Sequence, residues 1–243
     1  MKPILFNTEM VRAILDGRKT VTRRVVKPQP DRVYSGGNVE LRCHTDGPHK
    51  DEWHCYRELP PLDKVVNSPW GGQIKPPYQI GDILYVRETW NINNLDYENN
   101  RLGIIYKASK NIMDSFRWIL VSDSIFDKYE KTVAASNYAV WRPSIHMPKE
   151  AARLFLRVVD VRAERLRDIT NTDAEREGAL TEERLRIEEE AGVVGLPVYP
   201  LREYFGRYIW DRTIKVKDMP LYGWEANPYV WVIKFERCEI DVK

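Results

Sequence analysis

Cysteine is scarce in this chain: Cys43, Cys55 and Cys238 are the only three in 243 residues. An odd, sparse set of this kind points to a reducing, cytoplasmic setting rather than a disulfide scaffold. Long hydrophobic runs are missing as well. None approaches the roughly 18 residues needed to span a bilayer. The stretch Met1-Lys2-Pro3-Ile4-Leu5-Phe6-Asn7-Thr8-Glu9 has one cation and a short apolar segment cut off by polar residues, which is not the pattern of a signal peptide. An excess of one charge is lacking too: 38 Lys and Arg against 36 Asp and Glu give +2. With 43% hydrophobic residues, that balance excludes an intrinsically disordered chain. Several catalytic markers are absent. There is no G-x-x-x-x-G-K-[ST] loop, no G-x-G-x-x-G, no H-E-x-x-H and no G-x-S-x-G, so P-loop, Rossmann, zincin and α/β-hydrolase chemistry lack their signatures.

What is present is local polarity. Met1 to Pro30 holds seven cations (Lys2, Arg12, Arg18, Lys19, Arg23, Arg24, Lys27) against Glu9 and Asp16. Glu175 to Glu190 holds seven Glu and three Arg. A basic patch attracts phosphates even in a balanced molecule; solvated faces are the plainer reading of each run.

Periodicity predicts a short helix with Val11, Ile14 and Leu15 on one stripe, capped by Thr8 or Asn7 and ended by Gly17. Arg18 to Val26 is β-branched and reads as extended. Residues 31 to 79 show little periodicity. Strands are predicted at 83–90, 102–107, 152–162 and 229–235, and a helix followed by a loop at 111–135. Thr172 and Glu175 fit a capping box, which predicts a helix from Asp173. A charged helix is expected at 182–190. Leu201, Tyr204, Phe205, Tyr208 and Ile209 recur at helical spacing, which predicts an amphipathic helix. Separated strands with helices between them, without regular β-α-β alternation, predict an α+β fold with a mostly antiparallel sheet or barrel.

Three constellations bear on chemistry. Cys43, His44, His49, His54 and Cys55 are all of zinc-ligand type within thirteen residues, but no C-x-x-C pair occurs among them. An exposed loop without metal is the expectation, and no cofactor is expected. Lys19-Thr20-Val21-Thr22 follows a helix end and opens a strand, so Lys19 and Thr22 are placed to converge. A Thr hydroxyl is a nucleophile only when a base takes its proton, and a Lys is that base only when burial or neighbouring cations lower its pKa. Arg87, Glu88, Trp141, Ser144 and His146 are secondary candidates for substrate contacts. Arg87 and Glu88 fall on opposite faces of a strand, so at most one faces a site. His146 fits a ligand-contacting group and a hydrogen-bonded core histidine equally well.

Gly17-Arg18-Lys19-Thr20-Val21-Thr22-Arg23-Arg24 resembles the G-R-K-T-x-T-x-R signature that opens ASCH domains of the PUA-like superfamily. Ile80-Gly81-Asp82-Ile83-Leu84 resembles that family's G-D-x-L turn and strand. Residues 152–161 with Asp168-Ile169-Thr170, and the closing strand at 229–236, follow in order. Val86 to Trp90, Trp141 to Pro148 and Tyr222 to Pro228 are similar to large ASCH-like proteins of phages and prophages. The resemblance implies one domain over 1–243, a PUA-like β-barrel with flanking helices, and insertions at 31–76 and 110–135. It also implies a cleft for a nucleobase or nucleotide. Small members are amidohydrolases that deacylate N4-acetylcytidine with a Lys base, a Thr nucleophile and a Glu proton donor. Carried over by motif, these are Lys19, Thr22 and Glu177, the last from Ala174-Glu175-Arg176-Glu177. Arg24 is then a substrate-binding group. The alternative the family implies is a non-catalytic module binding RNA or a modified base. Trp53, Trp70, Trp90, Trp118, Trp141 and Trp224 would supply stacking surfaces, although Trp90 and Trp231 read as core.

Overall fold

Short-range sequence signals become regular structure where an apolar face finds a partner. The computed structural model describes residues 1–30, 39–44, 52–57, 74–111, 115–136, 140–195 and 197–240. In chain order these residues form β1 (Lys2–Leu5), α1 (Thr8–Leu15), β2 (Val21–Val25), β3 (Val39–Cys43), β4 (Trp53–Arg57), β5 (Ile83–Arg87), β6 (Trp90–Asp96), β7 (Arg101–Tyr106), β8 (Arg117–Leu120), α2 (Asp123–Ser136), β9 (Phe155–Arg165), α3 (Asn171–Arg176), α4 (Glu182–Val194), α5 (Leu201–Tyr204), α6 (Met219–Tyr222) and β10 (Tyr229–Cys238), with short 3-10 turns and one π-helical turn between them. The fold is α+β. One five-stranded sheet has the order β1-β5-β9-β10-β2; β3-β4 and β6-β7-β8 form two antiparallel sheets. The largest sheet is mixed, because β1 runs parallel to β5 while β5 and β9 are antiparallel.

The described residues cluster into two compact units, Met1–Lys19 with Gly81–Arg157 and Glu236–Lys243, and Thr20–Ile80 with Val158–Phe235. In the first unit, Asn7 caps α1 by accepting the Met10 N–H at 2.8 Å, which decides between the two predicted caps. Gly17, at φ +76°, takes the left-handed turn that ends it. Val11, Ala13 and Ile14 are the buried face of α1. The β6-β7-β8 sheet packs Trp90, Ile92, Leu102, Ile104, Tyr106 and Ile119 against Phe126, Tyr129 and Val133 of α2. Those three α2 residues recur at helical spacing. Residues 117–136 are thus strand then helix, not helix then loop, and they supply part of this core.

In the second unit, β2 pairs antiparallel with β10, with Thr22 opposite Ile233 and Arg24 opposite Trp231. Val21, Val230 and Val232 pack with Leu166, Ile169, Ala174, Leu201, Phe205 and Trp224. Two local expectations are corrected here. The capping box lies two residues earlier than Thr172–Glu175. Thr170 accepts the Asp173 N–H at 3.0 Å and Asp173 receives the Thr170 hydroxyl at 2.9 Å. Thr170 fits the same spacing rule, and a helix begun there also buries Ala174. The apolar repeat from Leu201 is also not one α-helix. It widens into a π-helix over Phe205–Trp210, which turns Tyr208 to 40% exposure and buries Trp210 instead.

Candidate functional site

The site is built on β2. Its alternation sends Thr22 and Arg24 to one face and Arg23 to the other. Thr22 and Arg23 are both buried. The Thr20 N–H donates to the Arg176 carbonyl at 2.9 Å, which ties the approach to β2 to the end of α3. Glu177 is the residue that ends α3, and Gly178 at φ +85° turns the chain away immediately after it. Glu177 is thereby held inside, at 3% exposure.

Arg23 organises this interior. It donates to Glu164 Oε1 through Nε at 3.0 Å and Nη2 at 2.6 Å, and to Glu177 Oε1 through Nη1 at 3.2 Å. Asp173 lies 3.9 Å from its Nη2. Arg162 reaches the other Glu164 oxygen at 3.3 Å. Burial pushes the Asp173 carboxyl up, but the Thr170 hydrogen bonds and the Arg23 charge outweigh it and hold it below the usual carboxylate range.

On the other face, Arg24 Nη1 donates to Thr22 Oγ1 at 2.8 Å and to the Arg23 carbonyl at 3.0 Å. Burial pushes the Arg24 guanidinium below its ordinary value, against the pull of Glu177 and Tyr78. Glu177 therefore acts on both arginines, by a hydrogen bond to Arg23 and through its charge on Arg24. A cationic N–H aimed at Oγ stabilises negative charge on that oxygen, so the contact favours an ionising Thr22.

Arg24 also lines a pocket of about 270 Å³ with Val25, Lys27, Lys75, Pro77, Tyr78 and Trp231. Three of these described lining residues are cations, two are aromatic and none is acidic. Trp231 is 2% exposed and forms a fixed floor, with Trp53 edge-on to it at 5.1 Å. Gln29 pins the segment after β2. Its amide donates to the Val26 and Tyr229 carbonyls and accepts the Tyr229 N–H at 2.7 Å, in the manner of an extra strand residue.

Lys19 belongs to the first unit. Its side chain is 2% exposed with Nζ 5.4 Å from the Phe6 ring centroid, and its N–H donates to the Ala13 carbonyl. The secondary candidates belong to that unit as well. Arg87 Nε donates to the Met147 carbonyl at 2.8 Å. Glu88 is fully buried and takes both Nε and Nη2 of Arg153, at 2.8 and 2.9 Å. Burial raises its pKa, and the Arg153 pair pulls the other way. Trp141 and Ser144 are half-buried and His146 is exposed, so His146 is not a core histidine. Its carbonyl, not its ring, receives the Tyr129 hydroxyl at 2.8 Å.

Of the metal-type residues, Cys43 and His44 are half-buried, and the His44 and His54 rings meet edge-on at 4.9 Å. His54 Nε2 lies 3.1 Å from Glu52 Oε2. His49 and the side chain of Cys55 lie outside the described residues, as does Trp70. Among the described residues no three His, Cys, Asp or Glu side chains form a group that could hold a metal ion. Trp90 and Trp231 are core, and so is Trp224 at 1% exposure, which removes Trp224 from the stacking candidates.

Sequence reasoning did not single out Arg23 as the buried hub, nor Lys27, Lys75 and Tyr78 as pocket residues. The hub had a weak signal, three consecutive polar residues within a β-branched strand. The pocket residues had none, since Lys75 and Tyr78 lie in a segment without periodicity. No family model matches the chain, and neither a curated protein nor a solved structure matches it. No helix among the described residues is long and apolar enough to cross a membrane.

Proposed function

We propose that this chain is a PUA-like, ASCH-type amidohydrolase that removes the acyl group from N4-acylated cytosine nucleosides, with Thr22 as nucleophile. The observation that carries the reading is the buried Thr22 hydroxyl, held at 2.8 Å by Arg24, which itself lines a pocket with aromatic and cationic walls. Thr22 Oγ attacks the acyl carbon while its proton passes to Lys19, the buried amine three residues upstream. Arg24 stabilises negative charge on the oxygen side of that step. The C–N bond breaks as the Glu177 carboxylate relays the proton removed from Thr22 to the leaving N4 nitrogen, which departs as the amine of cytidine. Water then attacks the acyl-Thr22 ester; one of its protons restores the Thr22 hydroxyl, the carboxylic acid leaves with the other, and Lys19 and Glu177 are back in their starting forms. Arg23 is a positioning residue, holding Glu177 rather than touching substrate. The step uses only side chains of this chain and no cofactor. The few cysteines fit a cytoplasmic setting.

The test is release of cytidine from N4-acetylcytidine by the purified protein and by Thr22→Ala. Release by the wild type that falls by at least about a thousandfold in the variant supports the reading; equal rates, or none in either, removes it. The same aromatic and cationic pocket also suits the RNA-binding alternative. A salt-dependent gel shift with RNA, unchanged in Thr22→Ala and without hydrolysis, would favour it.

A further inference from the structure

The pocket lined by Arg24 carries more positive charge than a neutral nucleoside needs. A base is held by an aromatic surface and a few hydrogen bonds. Here Tyr78 supplies the surface above the buried Trp231 floor, and Arg24 supplies the donor that also holds Thr22. Lys27 and Lys75 remain, both exposed and both lining the same pocket. They stand on different segments, Lys27 just after β2 and Lys75 just after Ile74, which bridges to Trp53. Lys27 Nζ also lies 5.1 Å from the Tyr222 ring centroid, which restricts the side chain without neutralising it. Among the described lining residues none is acidic, so none of them balances these two cations.

The pocket volume of about 270 Å³ suits a pyrimidine and its sugar. It lies just under the range of roughly 300–1000 Å³ usual for whole small-molecule ligands. A group beyond the sugar therefore meets the more exposed lining, where the two lysines are.

We propose that the ligand of this pocket is a phosphorylated pyrimidine nucleoside, its phosphate held by Lys27 and Lys75 and its base set against Tyr78. The inference rests on the proposed function for the identity of the base, and on the pocket alone for the phosphate. A lysine pair acts on a phosphate as two point charges, so the preference it creates weakens with salt.

The experiment compares cytidine 5′-monophosphate with cytidine as ligands of the full chain by titration calorimetry at low and high salt. The expected result is about tenfold tighter binding of the monophosphate at low salt, shrinking as salt rises. The Lys27→Gln, Lys75→Gln double variant is expected to bring the ratio of the two affinities close to one, with unchanged far-ultraviolet circular dichroism. Equal affinities in the wild type, absence of binding by either compound, or an undiminished ratio in the double variant overturns the proposal. Hydrolysis of N4-acetylcytidine without a monophosphate preference would defeat this inference and leave the catalytic reading intact. A monophosphate preference without hydrolysis would do the reverse.

Discussion

Replacing Arg23 by Met tests the electrostatic heart of the site. The guanidinium has no exposed surface and faces Glu164, Asp173 and Glu177, whose side chains are 17%, 18% and 2% exposed. Removing one partner of a buried pair costs about 3–5 kcal/mol, because the remaining charge is left without compensation. Glu164 and Asp173 retain some water, and Arg162 still reaches Glu164. Most of the loss therefore comes from Glu177, which sets the expectation near the lower end, about 3 kcal/mol. Arg23→Lys keeps the charge but not the planar fork that serves Glu164 and Glu177 from different nitrogens, so it falls between wild type and Arg23→Met. Glu177→Gln keeps an acceptor for Arg23 and is expected to cost only about 1 kcal/mol. Urea unfolding followed by circular dichroism measures wild type, the three single variants and the Arg23→Met, Glu177→Gln double variant that closes a double-mutant cycle. A loss below about 1 kcal/mol for Arg23→Met, or additivity of the Arg23 and Glu177 changes, would refute the reasoning.

Three further outcomes follow from the same contacts. Thr170→Ala removes the α3 cap and should cost about 1 kcal/mol in a urea melt. Because the folded Asp173 carboxyl is held low, its contribution is present above the unfolded carboxylate range and lost as pH falls through the folded value, so the variant's deficit should shrink in acid. Glu88 has the opposite sign: burial raises its folded pKa, so wild-type stability carries a component that is full below the unfolded carboxylate range and declines as pH rises through the folded value. Thermal melts of Glu88→Gln across that window should lack this decline, and parallel profiles for the two proteins would contradict it. Gly206→Ala should destabilise by about 1–3 kcal/mol, because its Cβ would overlap the buried Trp224 ring; an unchanged melting temperature would show that the ring can yield.

Where the signal is local, the chain is legible. The α1 cap and Gly17, the buried alternation of Leu154, Leu156 and Val158, and the closing strand all depend on neighbours within a few positions. β1 escapes because it is four residues long, contains Pro3 and pairs in parallel with a strand about eighty residues away. Thr170 and Thr172 satisfy the same capping-box spacing, and only burial of Ala174 selects Thr170, two residues before the expected Thr172. Tyr208 departs from its expected buried stripe because a π-helix changes the period from Phe205 onward. At the site, Lys19, Thr22, Arg24 and Glu177 were singled out from motifs, whereas the hub was not. Arg23 meets Glu164 and Glu177 across 141 and 154 residues of sequence, and no local pattern distinguishes a buried arginine from its exposed neighbours. The pocket's Lys75 and Tyr78 are likewise defined by what lies across from them.

The most direct measurement is a single turnover on N4-acetylcytidine, quenched with acid and read by peptide mass spectrometry. The account predicts an acetyl group on the peptide carrying Thr22, formed in step with cytidine release and absent from Thr22→Ala. Cytidine released in the first turnover with Thr22 unmodified, at a rate Thr22→Ala shares, would contradict it.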